Sequence, residues 1–158
     1  MRIGCTGHQG LTDATAENVV TELNSYFLSI DSLIGVSSLA EGADQLFAQS
    51  VIGSGGTLEV VIPCVGYEST FVTSDDLRRY EHLKSEATST TQLDFSRPTE
   101  EAFWAAGRLI VQSSDALIAV WDGAKSRGLG GTADVVEYAQ QLGKAVKVIW
   151  PTGSMRKL

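Results

Sequence analysis

The sequence predicts an α/β fold with a doubly wound, mainly parallel sheet and helices on both faces. Short apolar runs of strand length alternate with stretches of helical periodicity along almost the whole chain. Glycine, proline or small polar residues close most of these runs. Such alternation favours parallel strands joined by helical crossovers. The length of 158 residues fits a single domain over residues 1–158.

The first half of the chain predicts three strands and two helices. The strands are expected over residues 2–6, 33–37 and 58–62, where the apolar runs are short. A helix of about five turns is expected from a cap at Thr12 or Asp13 up to Ile30, because apolar residues recur there at helical spacing. A second helix is expected over residues 42–52, before a glycine-rich turn.

The second half predicts three more strands and three more helices. The helices are expected over residues 74–87, 98–112 and 132–142, and the strands over residues 92–95, 116–121 and 145–150. The first of these helices is polar, so we expect it to lie exposed. Pro98 is expected at the first position of the next helix.

The charge is unevenly distributed along the chain. Residues 1–77 contain one base and ten acids, whereas residues 78–158 contain eleven bases and nine acids, for a net charge of −7. A surface that binds nucleic acid needs clustered Lys and Arg to displace counterions from phosphates. The composition therefore argues against nucleic acid as a partner, although a small phosphorylated molecule stays possible.

No targeting or metal-binding signal stands out. No apolar run approaches the roughly 20 residues of a membrane span, and the first residues look like a strand instead of a leader. Cys5 and Cys64 are expected as buried free thiols in a reducing compartment, so we expect a cytoplasmic protein without a membrane partner. The two His and two Cys are scattered, so no metal site is expected.

The most informative loop contains Gly128, Gly130, Gly131 and Thr132, between a strand and a helix. Glycines let the backbone approach an anion, and the helix that follows directs free N–H groups toward it. Lys125 and Arg127 stand in the same loop and could reach a phosphate. A glycine-rich turn without any ligand is the alternative.

A second candidate loop contains Ser38, Glu41, Gly42 and Asp44. Its small residues permit close approach of a ligand, and Asp44 could accept hydrogen bonds from ribose hydroxyls. The alternative is that Asp44 and Glu41 offset the dipole of the helix that starts there.

A third loop starts with Gly7 and His8 at the tip of the first strand, where a histidine could contact a ligand. Trp121, directly before Asp122, could stack on a base or cover the core. Because parallel strands place their carboxyl ends at one sheet edge, these loops are expected to converge on one nucleotide-sized pocket.

Several of these segments resemble the SLOG superfamily of Rossmann-like nucleotide-ligand proteins. Residues 37–44 are similar to the small-residue segment of the DNA-processing protein A Rossmann domain. Residues 114–122, followed by Gly130-Gly131-Thr132, are similar to that domain and to the Lonely Guy type phosphoribohydrolases. The resemblance implies a Rossmann-like sheet that binds a nucleotide or nucleotide-derived phosphorylated molecule, AMP-like or ADP-ribose-like, as a sensor or carrier module.

The resemblance also leaves two alternative functions open. The phosphoribohydrolase pattern ends in a Glu whose position here is Val135, and the nearby acids Asp134 and Glu137 are out of register by one and two residues. They are the candidates for catalysis if the chain is an N-glycosidase that cleaves nucleoside monophosphates. Single-stranded DNA binding is the second alternative, which the acidic first half disfavours.

Two expectations concern how the chain associates and how its ligand lies. Related folds commonly pair through helices, so a homodimer or higher oligomer is expected, with Phe103 and Trp104 on one candidate surface. The charge asymmetry predicts that ribose lies toward Asp44 and phosphate toward residues 130–132.

Overall fold

The computed structural model describes residues 1–158, and its centre is one six-stranded sheet. The strands are β1 (Arg2–Gly7), β2 (Ile34–Ser37), β3 (Thr57–Ile62), β4 (Ser89–Gln92), β5 (Ala116–Val120) and β6 (Ala145–Ile149). Their order across the sheet is β4-β3-β2-β1-β5-β6, and every neighbouring pair is parallel. The predicted α/β class with a mainly parallel sheet is confirmed.

Five α-helices connect the strands. They are α1 (Asp13–Phe27), α2 (Ala43–Gly53), α3 (Ser74–Glu86), α4 (Glu100–Gln112) and α5 (Thr132–Gln141), and a short 3-10 segment covers Tyr67–Thr70. None of the helices is long and apolar enough to cross a membrane. Threonine side chains cap the first turns of α1, α3 and α4. In contrast, α2 and α5 begin at Gly42 and Gly131 without a side-chain cap. The first N–H of α2, that of Ala43, donates to the His8 carbonyl, whereas the first N–H groups of α5 have no acceptor within the helix.

The strand order reverses its direction between β1 and β5. The chain first builds outward from β1 to β4, then returns to β5 on the other side of β1 and continues to β6. Right-handed crossovers in opposite directions place their helices on opposite faces of the sheet. Accordingly, α1 packs on α2 and α2 on α3, whereas α4 packs on α5.

The core lies on both faces of this sheet. Ile3, Val19, Leu23 and Phe47 belong to a cluster in which β1 meets α1 and α2. A smaller cluster on the other side of the strands joins β5 to α4 and α5. At roughly 25 cal/mol per Å² of buried apolar area, this burial is the main force that holds the helices on the sheet.

One predicted strand is misplaced along the sequence. The expected strand at residues 92–95 is instead β4, which ends at Gln92. All four β4 residues are exposed, because β4 is an edge strand. The apolar residues Leu93 and Phe95, which suggested a strand, pack against the core from the loop that follows. The apolar residues therefore led to a strand prediction in the wrong segment of the chain.

Three predicted helices differ from the structure at their ends or faces. α1 stops at Phe27, so Ile30 lies beyond it. α4 starts after Thr99, whose side chain accepts from the Ala102 N–H, so Pro98 is not the first helical residue. α3 is amphipathic and not wholly exposed, since Tyr80 is fully buried against the 3-10 segment.

The close contact at Gly42 predicts a large loss of stability for Gly42→Ala. Gly42 has φ 81°, and an added Cβ would lie 2.7 Å from the His8 carbonyl oxygen. We expect Gly42→Ala to lower the free energy of unfolding by about 2–4 kcal/mol in urea titrations. Gly53→Ala is the matched control, because its added Cβ meets nothing within 4 Å. Equal unfolding midpoints for the two variants would contradict this account.

Candidate functional site

A cleft opens at the carboxyl end of β1, where the strand order reverses. Its volume is about 230 Å³, and its walls come from β1, the starts of α2 and α5, the 3-10 segment and one face of α4. Ligands of open parallel sheets bind at this kind of position. The volume is below the roughly 300–1,000 Å³ of most ligand pockets, so it fits a small molecule better than a long one.

The predicted ligand-binding residues divide into two groups around this sheet edge. Seven of them line the cleft, namely Gly7, Ser38, Glu41, Asp44, Gly130, Gly131 and Thr132. The other five do not line it, namely His8, Gly42, Trp121, Asp122 and Gly128. The structure thus brings together residues from three predicted loops in one cleft. His8 and Asp122, which were expected in the same pocket, lie outside it.

Asp44 is a buried carboxyl group in the wall of the cleft. Its side chain is 8% exposed and accepts a hydrogen bond of 3.3 Å from the Ala40 N–H. Burial raises the pKa of Asp44 from 3.8 to about 7, because desolvation outweighs the donors around the carboxylate. A carboxyl group that titrates near neutral pH in a cleft is a frequent mark of a functional site.

Two neighbours share this environment. Burial, followed by the nearby charge of Asp44, raises the pKa of the Cys5 thiol well above its ordinary value. The same two causes act on Tyr67, whose pKa is also raised well above its ordinary value. Both side chains therefore stay neutral at physiological pH, and both line the cleft beside Asp44.

Glu41 is the other acidic residue of the cleft, and its pKa depends on that of Asp76. Burial, and then a hydrogen bond to Asp76, raise the pKa of Glu41. Burial alone would raise the pKa of Asp76 too, but hydrogen bonds from Thr73, Arg79 and Glu41 outweigh burial and lower it. Glu41 thus donates to Asp76 when protonated. The contact ties the rim of the cleft to the start of α3.

The N-terminus of α5 presents free amides to the cleft. Asp134 accepts from the Gly130 N–H at 2.9 Å, and the Asp134 N–H donates to Ser126 at 3.2 Å. The N–H groups of Thr132 and Ala133 have no intrahelical acceptor, because they lie in the first turn. Together with the helix dipole, they can attract an anion.

Protein packing restricts two of the three glycines in this loop. An added Cβ on Gly130 would lie 2.9 Å from the Trp104 backbone, and Gly130 has φ 80°. An added Cβ on Gly131 would lie 2.6 Å from the Ser126 hydroxyl, and one on Gly128 would collide with the Glu100 carboxylate. Close packing explains Gly130 and Gly131 without any ligand, whereas the flexible Glu100 side chain could move away from a side chain at position 128.

An aromatic wall closes one side of the cleft. It consists of Tyr67, Phe71 and Phe103, which line the cleft and pack on one another with ring centroids 5.4 and 6.4 Å from Tyr67. The sequence did not place Phe71 or Phe103 in the site. No local pattern could reveal them, because this wall forms only when the 3-10 segment meets α4.

His8 and Asp122 form a polar pair outside the cleft. His8 Nε2 lies 2.9 Å from Asp122 Oδ1, and Arg156 lies 3.5 Å from the other oxygen. Burial alone would raise the pKa of Asp122, but the Ala124 N–H, His8 and Arg156 outweigh it and lower the pKa. Arg156 stays in place through an isolated antiparallel bridge to Leu11. These residues hold the chain terminus on the sheet edge.

Trp121 packs against the core on the α4 and α5 side, and its indole N–H donates to the Ala124 carbonyl at 2.8 Å. Of the two roles considered for Trp121, stacking on a base or covering the core, its position corresponds to the second.

Trp104 lies on the surface that was expected to mediate self-association. Its ring contacts Tyr138, with ring centroids 5.7 Å apart, so this surface is partly occupied within the chain.

The two candidates for catalysis do not reach the cleft. Asp134 holds the glycine loop through Gly130, and Glu137 is exposed on α5. Lys125 and Arg127, expected to contact a phosphate, do not line the cleft either. Arg127 instead borders a surface depression with Trp150, Arg156 and Lys157. No group of three or more His, Cys, Asp or Glu side chains is placed to hold a metal ion.

Solved structures with the same fold include two DNA processing proteins. DNA processing protein A from Streptococcus pneumoniae matches with a TM-score of 0.70 and 20% identity over 96% of this chain and 51% of that chain. DNA processing protein A from Helicobacter pylori, described as binding single-stranded DNA, matches with a TM-score of 0.71 and 16% identity over 99% of this chain and 68% of that chain. This chain therefore spans about half the length of the Streptococcus pneumoniae protein.

A third likeness is to a molybdenum cofactor binding protein from Rippkaea orientalis, with a TM-score of 0.58 and 19% identity over 93% of this chain and 74% of that chain. No protein-family model and no curated protein matches the sequence. At these identities the likenesses show the fold alone, which is the Rossmann-like α/β fold expected from the sequence. They do not support the prediction against nucleic acid, since one neighbour binds single-stranded DNA.

The raised pKa of Asp44 predicts that stability falls as pH rises. Between pH 3.8 and about 7 the unfolded chain has lost the Asp44 proton while the folded chain keeps it, so raising the pH favours unfolding. The full loss above pH 7 is at most roughly 4 kcal/mol, at about 1.4 kcal/mol per pH unit. Asp44→Asn should remove this loss and stabilise the fold at pH 8 more than at pH 4.

Denaturant titrations from pH 4 to 8 measure this difference. Asp31→Asn is the matched control, because Asp31 is exposed and its removal should leave the pH profile unchanged. The account of Asp44 fails if both variants follow the wild-type profile.

Proposed function

We propose that the chain binds a nucleotide or nucleotide-derived phosphorylated small molecule in the cleft. The observation that carries the proposal is the buried Asp44 carboxyl group in the same cleft as the uncapped start of α5. A carboxyl group accepts hydrogen bonds from sugar hydroxyls, and free helix amides attract phosphate. Neighbouring strands lie about 4.8 Å apart, so the strands before α2 and α5, with β1 between them, end roughly 10 Å apart.

The parts of such a ligand have separate partners in the cleft. We infer that ribose hydroxyls bind Asp44 and Ser38, which is buried and whose hydroxyl forms no hydrogen bond as donor within the chain. The phosphate binds the amides and the hydroxyl at Thr132. The base lies against Phe71, which is half-buried, because an aromatic face suits a planar ring. This arrangement favours a sensor or carrier module, and it needs no catalytic group.

A thermal-shift series tests this proposal by comparing the ligand response of the protein with and without the Phe71 side chain of the aromatic wall. AMP, ADP-ribose, NAD and a cyclic nucleotide are each added at millimolar concentration. We expect at least one of them to raise the Tm, since a ligand at about 100 times its Kd stabilises by roughly 2.7 kcal/mol. Phe71→Ala should reduce that shift by losing the stacking surface.

The adjacent residue supplies the matched control. Val72 is 94% exposed and does not line the cleft, so Val72→Ala should keep the full ligand response. Absence of any shift with all four compounds, or an equal loss in both variants, would count against the cleft as a nucleotide site.

Single-stranded DNA binding is a second candidate function, and a different surface favours it. Arg127, Arg156 and Lys157 border a depression beside Trp150, outside the acidic cleft. Basic side chains next to an aromatic ring are the usual features of a single-strand surface. The fold neighbour from Helicobacter pylori is described as binding single-stranded DNA.

A salt titration with an oligonucleotide tests this second candidate. If the depression binds the backbone, log K should fall with log salt by about 0.7 for each phosphate contacted. Arg127→Gln with Lys157→Gln should reduce both the affinity and this slope. Arg97→Gln, at an exposed site away from the depression, is the control. Lack of binding at low salt would dismiss the candidate.

A further inference from the structure

The cleft combines an aromatic wall with acids, and no base lines it. Tyr67, Phe71 and Phe103 form the wall, and Glu41 and Asp44 are the acids. No Lys, Arg or His is among the residues that line the cleft. The face of an aromatic ring attracts a cation through the ring quadrupole, and a carboxylate attracts it directly. This combination therefore suits a ligand that carries a positive group.

Asp44 is the acid of the cleft that has no counter-ion. Its carboxylate accepts from the Ala40 N–H at 3.3 Å, and the Ser38 N–H and the Cys5 thiol are its other donors. Burial outweighs these donors and raises the pKa of Asp44 to about 7, so the ionised form lacks a compensating positive charge. The Ser38 hydroxyl, which is buried and forms no hydrogen bond as donor within the chain, lies in the same wall of the cleft.

The surroundings of the two acids differ. Burial raises the pKa of Glu41, and Lys157 is close enough to oppose that rise. Asp44 instead neighbours the aromatic wall, since its charge contributes to the raised pKa of Tyr67 after burial. The Tyr67 ring lies 5.4 Å from the Phe71 ring, measured between centroids. A positive group that binds Asp44 would therefore also lie near the wall.

A nucleotide with a positively charged base would carry its charge to this point. In the proposed orientation, Asp44 accepts from ribose hydroxyls while the base lies against Phe71. The charged ring nitrogen of a pyridinium nucleotide is bonded to the anomeric carbon, beside the carbon that bears the 2′-hydroxyl. A carboxylate that accepts from this hydroxyl lies within about 5 Å of the positive charge, where the attraction raises the affinity roughly tenfold or more.

We propose that the cleft selects a phosphorylated nucleoside whose base is a positively charged single ring of the pyridinium type, with the Asp44 carboxylate and the Phe71 ring as the groups that recognise the charge. This inference rests on the proposed function, because it concerns the ligand of the same cleft. The phosphate keeps its place at the start of α5. The volume of about 230 Å³ favours a base of one ring over a purine, because the cleft is smaller than most ligand pockets.

The oxidised and reduced forms of nicotinamide mononucleotide test this inference. They share the sugar and the phosphate, but the oxidised ring is a cation and the reduced ring is neutral. Isothermal titration calorimetry at pH 8, above the Asp44 pKa of about 7, measures both affinities. We expect the oxidised form to bind about tenfold or more tightly than the reduced form at low salt. AMP, whose planar base is neutral, should also bind more weakly than the oxidised form.

Two variants separate the charge of the ring from its shape. Asp44→Asn keeps an acceptor for the ribose hydroxyls and removes the negative charge, so the ratio of the two affinities should fall several-fold. Phe71→Leu removes the aromatic face and keeps an apolar side chain, so it should lower the ratio too. Asp31→Asn and Val72→Leu are the matched controls at exposed positions outside the cleft, and should leave the ratio unchanged.

The outcomes distinguish this inference from the function on which it rests. If the oxidised and reduced forms bind equally well, or AMP binds more tightly than both, selection for a charged base is wrong while nucleotide binding stands. A preference that neither Asp44→Asn nor Phe71→Leu reduces would overturn the roles assigned to these two side chains. If AMP and both forms of nicotinamide mononucleotide fail to bind, the proposed function itself fails, and this inference fails with it.

Discussion

The contact between the tip of β1 and the start of α2 is the constraint on which the site depends. The Ala43 N–H donates to the His8 carbonyl at 3.1 Å, and Gly42 allows this approach because a side chain there would collide with the same carbonyl. Gly7 completes the contact, since an added Cβ would lie 2.5 Å from the Ala43 side chain. This packing holds α2 directly against the central strand. It thereby buries Asp44, one residue further on, in the wall of the cleft.

Burial of Asp44 has an energetic cost that the rest of the fold must offset. A carboxyl group with a pKa of about 7 destabilises the folded chain wherever it is ionised. The hydrophobic clusters on both faces of the sheet supply the opposing stabilisation, because they bury the apolar side chains of the strands and helices. The ionised Asp44 thus lowers the free energy of unfolding, and a polar ligand that donates hydrogen bonds to it would offset part of that cost. Such a distribution is common in binding sites, where polar groups await a partner.

The sequence predicted those parts of the site that come from local patterns. Asp44 and Thr132 were predicted as cleft residues because each lies at the start of a helix that follows a strand. The start of a helix can be predicted from the residue types around it. Phe71 and Phe103 were not found, because they meet only when distant segments pack together. The edge strand β4 was misplaced for a related reason, since its exposed polar residues carry no apolar signal. Arg127 is close in sequence to the first amides of α5, but the loop directs its side chain to another surface.

The central claim is that Asp44 is a carboxyl group with a pKa near 7 that binds the sugar of a nucleotide. The most direct measurement is a pH titration of the Asp44 carboxyl carbon by NMR, with and without AMP. We predict an apparent pKa of about 7 in the free protein. AMP should lower it, because ribose hydroxyls donate to the ionised carboxylate while the phosphate lies away at α5. A pKa near 4 in the free protein, or a pKa that AMP raises or leaves unchanged, would contradict the account.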